Sequence, residues 1–282
     1  MTRPPRNVLV TGCSTGIGRQ AASVLARRGW RVYATARRLD AIADLERHGC
    51  RLLELDVTDE ASRAAAVDVV MAAEGAVGVL VNNAGISELG ATAAMPVAHV
   101  ERMFATNVFG MLSLTQLVVP GMRTRGAGRI VNIGSMNGRW MMPGMGSYAA
   151  TKHALEAFSD ALRYELRPFG IEVSLIAPGM VTTGFGHSAA RRSDSSEDDP
   201  QWADFTARVS ELTLTWDAGP RARLACSPRD VAERVVRAAE SQRPQARYRV
   251  APSATIMLSL RRVLPERAFE RVLRTQFPSP RP

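Results

Sequence analysis

Short β-branched runs alternate along the chain with longer segments of helical periodicity, and no stretch repeats another. The pattern predicts strands at Asn7–Thr11, Arg31–Ala36, Arg51–Asp56, Val77–Asn82, Arg129–Gly134, Ile171–Ala177 and Tyr248–Ala251. Between them it predicts helices at Ile17–Arg28, Leu39–His48, Glu60–Ala73, Pro96–Arg123, Ser147–Pro168 and Asp230–Ser241. Strand then helix, many times over, implies a parallel sheet covered on both faces. Val8–Val10 and Leu80–Val81 are apolar throughout, as strands buried from two sides must be. The expected class is α/β, a doubly wound parallel sheet of about seven strands.

Two regions break the alternation. From Gly186 to Arg223 the chain is polar and partly acidic, with Trp202, Phe205 and Trp216 dispersed in it, and reads as a long loop acting as a lid. Ala254–Leu264 and Pro265–Gln276 read as two amphipathic, Arg-rich helices, and the Pro-rich tail Phe277–Pro282 is expected to lack order. The expected organisation is one domain over residues 1–252, carrying the 186–223 insert, then a helical extension and tail over 253–282.

With 282 residues, 46% hydrophobic and 22% charged, the chain can bury a sizeable core, which excludes intrinsic disorder for most of it. Cys13, Cys50 and Cys226 form no CxxC pair and the four histidines show no ligand spacing, so a reducing compartment and no metal are expected. No uninterrupted apolar stretch approaches the roughly 18 residues a membrane span needs, and no signal-peptide core precedes Val8. These features predict a cytoplasmic protein without a transmembrane segment.

The net charge of +9 is unevenly placed. Residues 1–40 hold eight Arg against Asp40 alone, residues 221–282 hold fourteen Arg against five acids, and the stretch between carries −7. Such polarity suits nucleic acid, an anionic membrane surface or an anionic small molecule, and charge alone does not choose among them. Every basic residue except Lys152 is Arg, so the single Lys stands out.

The first strand runs into Thr11-Gly12-Cys13-Ser14-Thr15-Gly16-Ile17-Gly18 and then a helix. Glycines there let backbone approach a pyrophosphate, and the helix N-terminus supplies oriented N–H groups. Ala36-Arg37-Arg38 ends the second strand without the acid that would hold a ribose 2′-OH, and its two guanidinium groups suit a 2′-phosphate. Asp56-Val57, after the third strand, offers a carboxylate for an adenine amino group or an N-cap for the next helix. Tyr148 and Lys152 lie four residues apart, on one helix face, where the cation would lower the phenol pKa from ~10. Ser135 ends the apolar strand Ile130–Gly134, where its hydroxyl can polarise a carbonyl.

Taken together, over about residues 6–252, the chain resembles the short-chain dehydrogenase/reductase family in its tyrosine-dependent branch. The likeness rests on Thr11-Gly12-x3-Gly16-Ile17-Gly18, Asp56-Val57, Asn82-Asn83-Ala84-Gly85, Asn107, Ser135, Tyr148-x3-Lys152 and Pro178-Gly179-x-Val181-x-Thr183. The resemblance implies a Rossmann-type fold, with Tyr148 as catalytic acid or base and Ser135 orienting the substrate oxygen. Lys152 would bind the nicotinamide ribose, and Asn107 would hold the water of a proton relay. Gly12, Ser14, Thr15, Gly16, Ile17, Gly18, Asn83, Ala84 and Gly85 would line the dinucleotide site, with Pro178, Gly179, Val181 and Thr183 toward the nicotinamide. Arg37 matches the basic residue of members that prefer NADP.

The expected function is an NADP(H)-dependent oxidoreductase, with NAD(H) the alternative cofactor. Its substrate would be a bulky, largely apolar ketone, aldehyde or alcohol. Trp140, Met141, Met142 and Met145 would form the pocket floor, and Trp202, Phe205 or Trp216 would face the ligand from the lid. A homodimer or homotetramer is implied by resemblance, and no nucleic-acid partner is expected. The C-terminal helices would extend the wall, form a subunit contact or rest on a membrane surface. A non-catalytic dinucleotide sensor of the same fold is the alternative, and Tyr148 and Lys152 count against it.

Overall fold

In the computed structural model, which describes residues 4–190, 200–215 and 219–280, seven parallel strands form one sheet in the order β3-β2-β1-β4-β5-β6-β7. They are β1 (Asn7–Val10), β2 (Arg31–Ala36), β3 (Arg51–Glu54), β4 (Val79–Asn82), β5 (Gly128–Ile133), β6 (Ile171–Pro178) and β7 (Arg247–Val250). All seven predicted strands are present, within two residues of their expected ends. The helices between them are α1 (Gly16–Arg27), α2 (Glu60–Glu74), α3 (Val97–Phe104), α4 (Gly110–Arg125), α5 (Gly146–Leu166) and α8 (Pro228–Glu240). Leu39–His48 is helical as expected, but as a 3-10 helix.

Apolar strands demand cover on two sides, and they receive it. On one face Val24 and Leu25 of α1 and Val231 and Val235 of α8 pack on Val8, Val10, Val32 and Val81. On the other, Val67 and Val70 of α2 and Leu114 and Val118 of α4 cover Leu9, Tyr33, Leu80 and Ile130. A third cluster lies beyond the carboxyl ends of the strands. It joins Met103, Met136, Trp140 and Met145 to Phe205, Val209, Leu258, Phe269 and Phe277.

Three expectations need correction. The described part of the 186–223 insert is mostly helical: α6 (Phe185–Ala190), α7 (Pro200–Leu214) and a 3-10 turn at Gly219–Leu224. Its apolar positions, diluted by polar neighbours, are spaced so that Phe205 and Val209 fall on one buried face. The tail begins ordered, because Phe277 is 7% exposed against Trp140 and Arg208 donates to the Ser279 carbonyl at 2.8 Å. Finally, α3, a π-helical turn (Ala105–Phe109) and α4 join into a 29-residue run, Val97–Arg125, long and apolar enough by composition to cross a membrane. Counting uninterrupted apolar stretches missed it. In the fold, Met103, Leu114, Val118 and Met122 are buried against the rest of the chain.

α9 (Pro252–Val263) and α10 (Glu266–Gln276) match the two helices expected at the end of the chain. They bring Ala254, Leu258 and Phe269 into the third cluster. Phe277→Ala should therefore cost about 3 kcal/mol of stability, at the low end for a buried aromatic because the site is near the terminus. Urea unfolding of the variant against the parent measures it, and a loss below about 0.5 kcal/mol, the range of ordinary surface changes, would show that the tail is not anchored.

Candidate active site

Strand order reverses between β1 and β4, so the connections that leave their carboxyl ends run in opposite directions and part. A cleft of about 600 Å³ opens there. Gly12, Ser14, Thr15 and Ile17 line it after β1, Ala36 and Arg37 after β2, Asp56 and Val57 after β3, and Asn83, Ala84 and Gly85 after β4. Ser135, Tyr148, Lys152, Pro178, Gly179, Val181 and Thr183 continue the wall. Of the catalytic and cofactor-binding residues expected from the sequence, Gly16, Gly18, Arg38 and Asn107 lie outside the lining.

Gly18 acts from behind, and Gly12 from the cleft side. A Cβ at Gly18 would sit 2.3 Å from Asn83 Nδ2 and 2.5 Å from the Gly12 carbonyl, so only glycine lets α1 come this close. Gly12, at φ +70°, has Ala84 Cα only 2.9 Å from where its Cβ would be. Asn83 Nδ2 fills the space left, donating to the carbonyls of Thr11 (2.8 Å) and Gly12 (3.0 Å). Thr11 Oγ1 in return accepts from the Asn83 and Ala84 amides, both at 2.9 Å. The result is a braced backbone cradle at the N-terminus of a twelve-residue helix, a shape and polarity that fit a pyrophosphate.

At the far end of the cradle the two arginines part company. Arg37 is exposed on the cleft wall, whereas Arg38, the residue before the 3-10 helix, turns to Asp40, with Nε 3.0 Å from Oδ1. The expected pair of guanidinium groups for a 2′-phosphate is thus one. Asp56 is likewise resolved: its Oδ1 accepts from the Thr58 amide (2.9 Å) and hydroxyl (2.7 Å), while Asp59 caps α2 by accepting from the Ser62 amide. Burial pushes the Asp56 carboxyl up, but the Thr58 hydrogen bonds and the charges of Arg37 and Arg63 outweigh it and hold the group below its ordinary range.

Across the cleft, β5 delivers Ser135 and the first two turns of α5 deliver Tyr148 and Lys152. Ser135 Oγ accepts from the Asn137 amide at 3.1 Å and lies close enough to the Tyr148 phenol to favour its ionised form. Phe185 leans on the Tyr148 ring at 5.7 Å and 55°. Lys152 is buried, donates to the Ile133 carbonyl at 2.9 Å, and stands 5.6 Å from the Tyr148 ring centre. Burial raises the phenol pKa well above its ordinary value, with Ser135 in opposition, and lowers the Lys152 ammonium to about 8. The expected depression of the phenol by Lys152 is therefore not seen in this arrangement, where desolvation dominates.

Asn107 sits in the π-helical turn, 2% exposed. Its carboxamide accepts from the Ile86 amide (2.8 Å) and donates to the Ile86 carbonyl (2.9 Å) and Thr151 Oγ1 (3.1 Å). The side chain is thus fully engaged in tying the loop after β4 to α5. A second buried chain went unread in the sequence: Asn82 donates to Asn132 Oδ1 (2.9 Å), and Asn132 to Ser159 Oγ (2.9 Å). The available signal was an Asn near the end of each of two otherwise apolar strands, at positions that pair across β4 and β5.

The remaining wall is mostly apolar, with Met136, Met142, Met145, Met180, Phe185, Ala189 and Leu214, and is interrupted by Arg102, Thr106, Asn137 and Thr213. The predicted floor is therefore only half right. Trp140 turns away, edge-on to Phe269 at 6.1 Å, and Met141 is exposed. Trp202 and Phe205 pair with each other at 6.4 Å without lining the cleft, and Trp216 lies outside the described residues.

Residues 6–194 match the family described as short chain dehydrogenase. The chain belongs to that family. Among its relatives are a 3-ketodihydrosphingosine reductase of Bacteroides thetaiotaomicron, 31% identical over 96% of this chain and 97% of that one, and retinol dehydrogenase 8 of Bos taurus, 33% identical over 94% and 88%. A solved short-chain dehydrogenase from Streptomyces avermitilis, 31% identical, superposes with a TM-score of 0.78 over 97% of this chain and 99% of its own. The protein is an NAD(P)-dependent oxidoreductase of this family, acting on a small-molecule substrate.

One consequence of the dehydrogenase site is a stability term that depends on pH. Unfolded Lys152 would titrate near 10.5 and folded Lys152 at about 8, so between these values the unfolded chain binds more protons and wild-type stability rises with pH. Lys152→Met lacks this slope. The difference between the two in urea-derived unfolding free energy should shift toward the wild type by up to about 3 kcal/mol across that window. A difference constant with pH would place the lysine in water.

Proposed function

We propose that this dehydrogenase interconverts a bulky, largely apolar ketone or aldehyde and its alcohol, using NADP(H), with Tyr148 as proton donor and acceptor. The observation that carries the reading is the meeting of Ser135, Tyr148 and Lys152 in one cleft with the braced glycine cradle, opposite a wall of methionines. When bound, the dinucleotide supplies or accepts the hydride. As reduction proceeds, negative charge grows on the substrate oxygen, and donors fixed beforehand stabilise it more in the transition state than in the ground state. Tyr148 and Ser135 are those donors. A phenol held well above its ordinary pKa remains protonated at neutral pH and is ready to give its proton.

Lys152 lies beneath the phenol and would hold the nicotinamide ribose, with Val181 and Thr183 toward the carboxamide and phosphate. Arg37, with Ala36 in place of an acid, supports NADP over NAD. The names of the two relatives, one a reductase of a sphingoid ketone and one a retinol dehydrogenase, favour a long apolar substrate. Exposed Phe109 and Leu117 beside α4 and Tyr164 on α5 suit a homodimer or homotetramer formed through those helices.

Tyr148→Phe should lower kcat by a factor on the order of 10² or more while dinucleotide affinity, read by fluorescence titration, holds. Retention of most of kcat would remove Tyr148 from the chemistry. Arg37 should favour NADPH over NADH by roughly tenfold to a hundredfold in kcat/KM, and Ala36→Asp with Arg37→Ala should reverse the ratio. In a ketone series of graded size, long-chain or fused-ring carbonyls should exceed small polar ones in kcat/KM. The opposite order would sink the large-pocket reading.

A further inference from the structure

The C-terminal tail meets two elements that stand behind the cleft. Phe277 is buried against the Trp140 ring, with ring centres 6.2 Å apart. Two residues on, the Ser279 carbonyl accepts from Arg208 of α7 at 2.8 Å. Proline stands on either side of Ser279, so this stretch is stiff and extended before it docks, and little chain entropy is lost in holding it. Arg208 is itself held by Asp204, one helical turn earlier and 2.9 Å away, and only 29% of its side chain is exposed. The tail thereby joins Trp140, near the start of the loop 139–145, to α7 of the 186–223 insert.

Helical spacing gives α7 three separate contacts. Asp204 and Arg208 share the face toward the tail. Phe205 and Val209, one residue further round, are buried in the third cluster, and Val209 lies so close to Gly144 that a Cβ there would be 2.6 Å from it. The Gly144 carbonyl also accepts from the Gly90 amide at 2.9 Å, which braces the loop from its other side. Thr213 and Leu214, at the end of α7, line the cleft, as do Met142 and Met145 of that loop. Arg208 is outside the lining. We propose that Arg208 is a positioning residue for substrate selectivity: by holding the tail it sets where the end of α7 stands at the apolar part of the cleft, and so how well a long apolar substrate is received. Apolar packing of Phe205 and Val209 tolerates small rotations of the helix, whereas a charge-assisted hydrogen bond to a carbonyl is directional and selects one. A small ketone needs only the groups around Ser135 and Tyr148 and is indifferent to the end of α7. The assignment rests on the carbonyl-reductase reading above and deepens it.

The test follows NADPH-dependent reduction of a small ketone and a long-chain ketone by the wild type, Arg208→Ala, Arg208→Lys and a chain ending at Gln276. In Arg208→Ala and in the shortened chain, KM for the long-chain ketone should rise by about tenfold, the scale of one charge-assisted hydrogen bond, while KM for the small ketone and kcat for both hold. Arg208→Lys keeps a cationic donor for a single carbonyl and should recover most of the wild-type KM. Arg208→Ala placed in the shortened chain should add less than about twofold, because two changes that break one contact do not multiply. A merely structural role would lower kcat for both ketones alike through loss of folded protein, and multiplying effects would separate Arg208 from the tail. Either result overturns the proposal. If the shortened chain does not fold, the Ala and Lys variants decide alone, and a long-ketone KM unchanged in Arg208→Ala, or not recovered in Arg208→Lys, overturns it. Amide hydrogen exchange reads the contact without turnover: Arg208→Ala should speed exchange in residues 209–214 and leave β1 unchanged. If the wild type reduces neither ketone, the reductase reading fails, and unchanged exchange in α7 is then what overturns the role of Arg208.

Discussion

Much of the active site hangs on a buried line of polar side chains through an otherwise apolar sheet. Asn82 of β4 donates to Thr115 (3.2 Å) and to Asn132 of β5, and Asn132 donates to Ser159 of α5. Removed from water, each of these groups is expensive without its partner, so a slip of α4 or α5 by one residue would leave several unsatisfied at once. Methionine, valine and leucine packing tolerates small shifts; this line does not. It fixes α5 against β5, and Ser135 can meet Tyr148 only because those two elements hold one register. The Lys152 hydrogen bond to the Ile133 carbonyl repeats the constraint two residues before Ser135.

The same burial that fixes geometry also sets the charges. The phenol and the ammonium are both largely withdrawn from solvent, and withdrawal acts in opposite senses on an acid and a cation. Tyr148 is driven toward its neutral form at high pH and Lys152 toward its neutral form near pH 8. On the proposed reading the site transfers a proton, which calls for groups whose ionisation answers to small changes in their surroundings, and a lysine poised there meets that call.

The strand pattern was legible because a two-sided parallel sheet leaves long apolar signatures, and the cradle was legible because its glycines sit at a fixed offset from a strand end. What escaped were features whose cause is tertiary. Arg37 and Arg38 are indistinguishable as residue types; only the following helix, with Asp40 in reach, draws one away. Trp140 belongs by spacing with the methionines around it, yet Phe269 and Phe277, more than a hundred residues on, take its ring. The helix at Pro200–Leu214 is hidden in sequence because its buried Phe205 and Val209 are set among polar positions such as Asp204 and Glu211, which face outward. The sequence could not show that desolvation would dominate at the phenol, since burial is a property of the folded neighbourhood.

The placement of the third cluster divides the chain by task. Nearly every polar group at the cleft, from Gly12 to Thr183, precedes the residues that stand behind its apolar wall. Phe205, Val209, Leu258, Phe269 and Phe277 do that backing without touching the reacting groups. The side chains that line the cleft and most of those that back its apolar wall therefore come from separable stretches of one polypeptide. Substitutions in the last eighty residues can shift the wall from behind while leaving Ser135, Tyr148 and Lys152 unchanged, so a lineage bearing this fold can adjust the shape of its pocket without altering most of the side chains that face it.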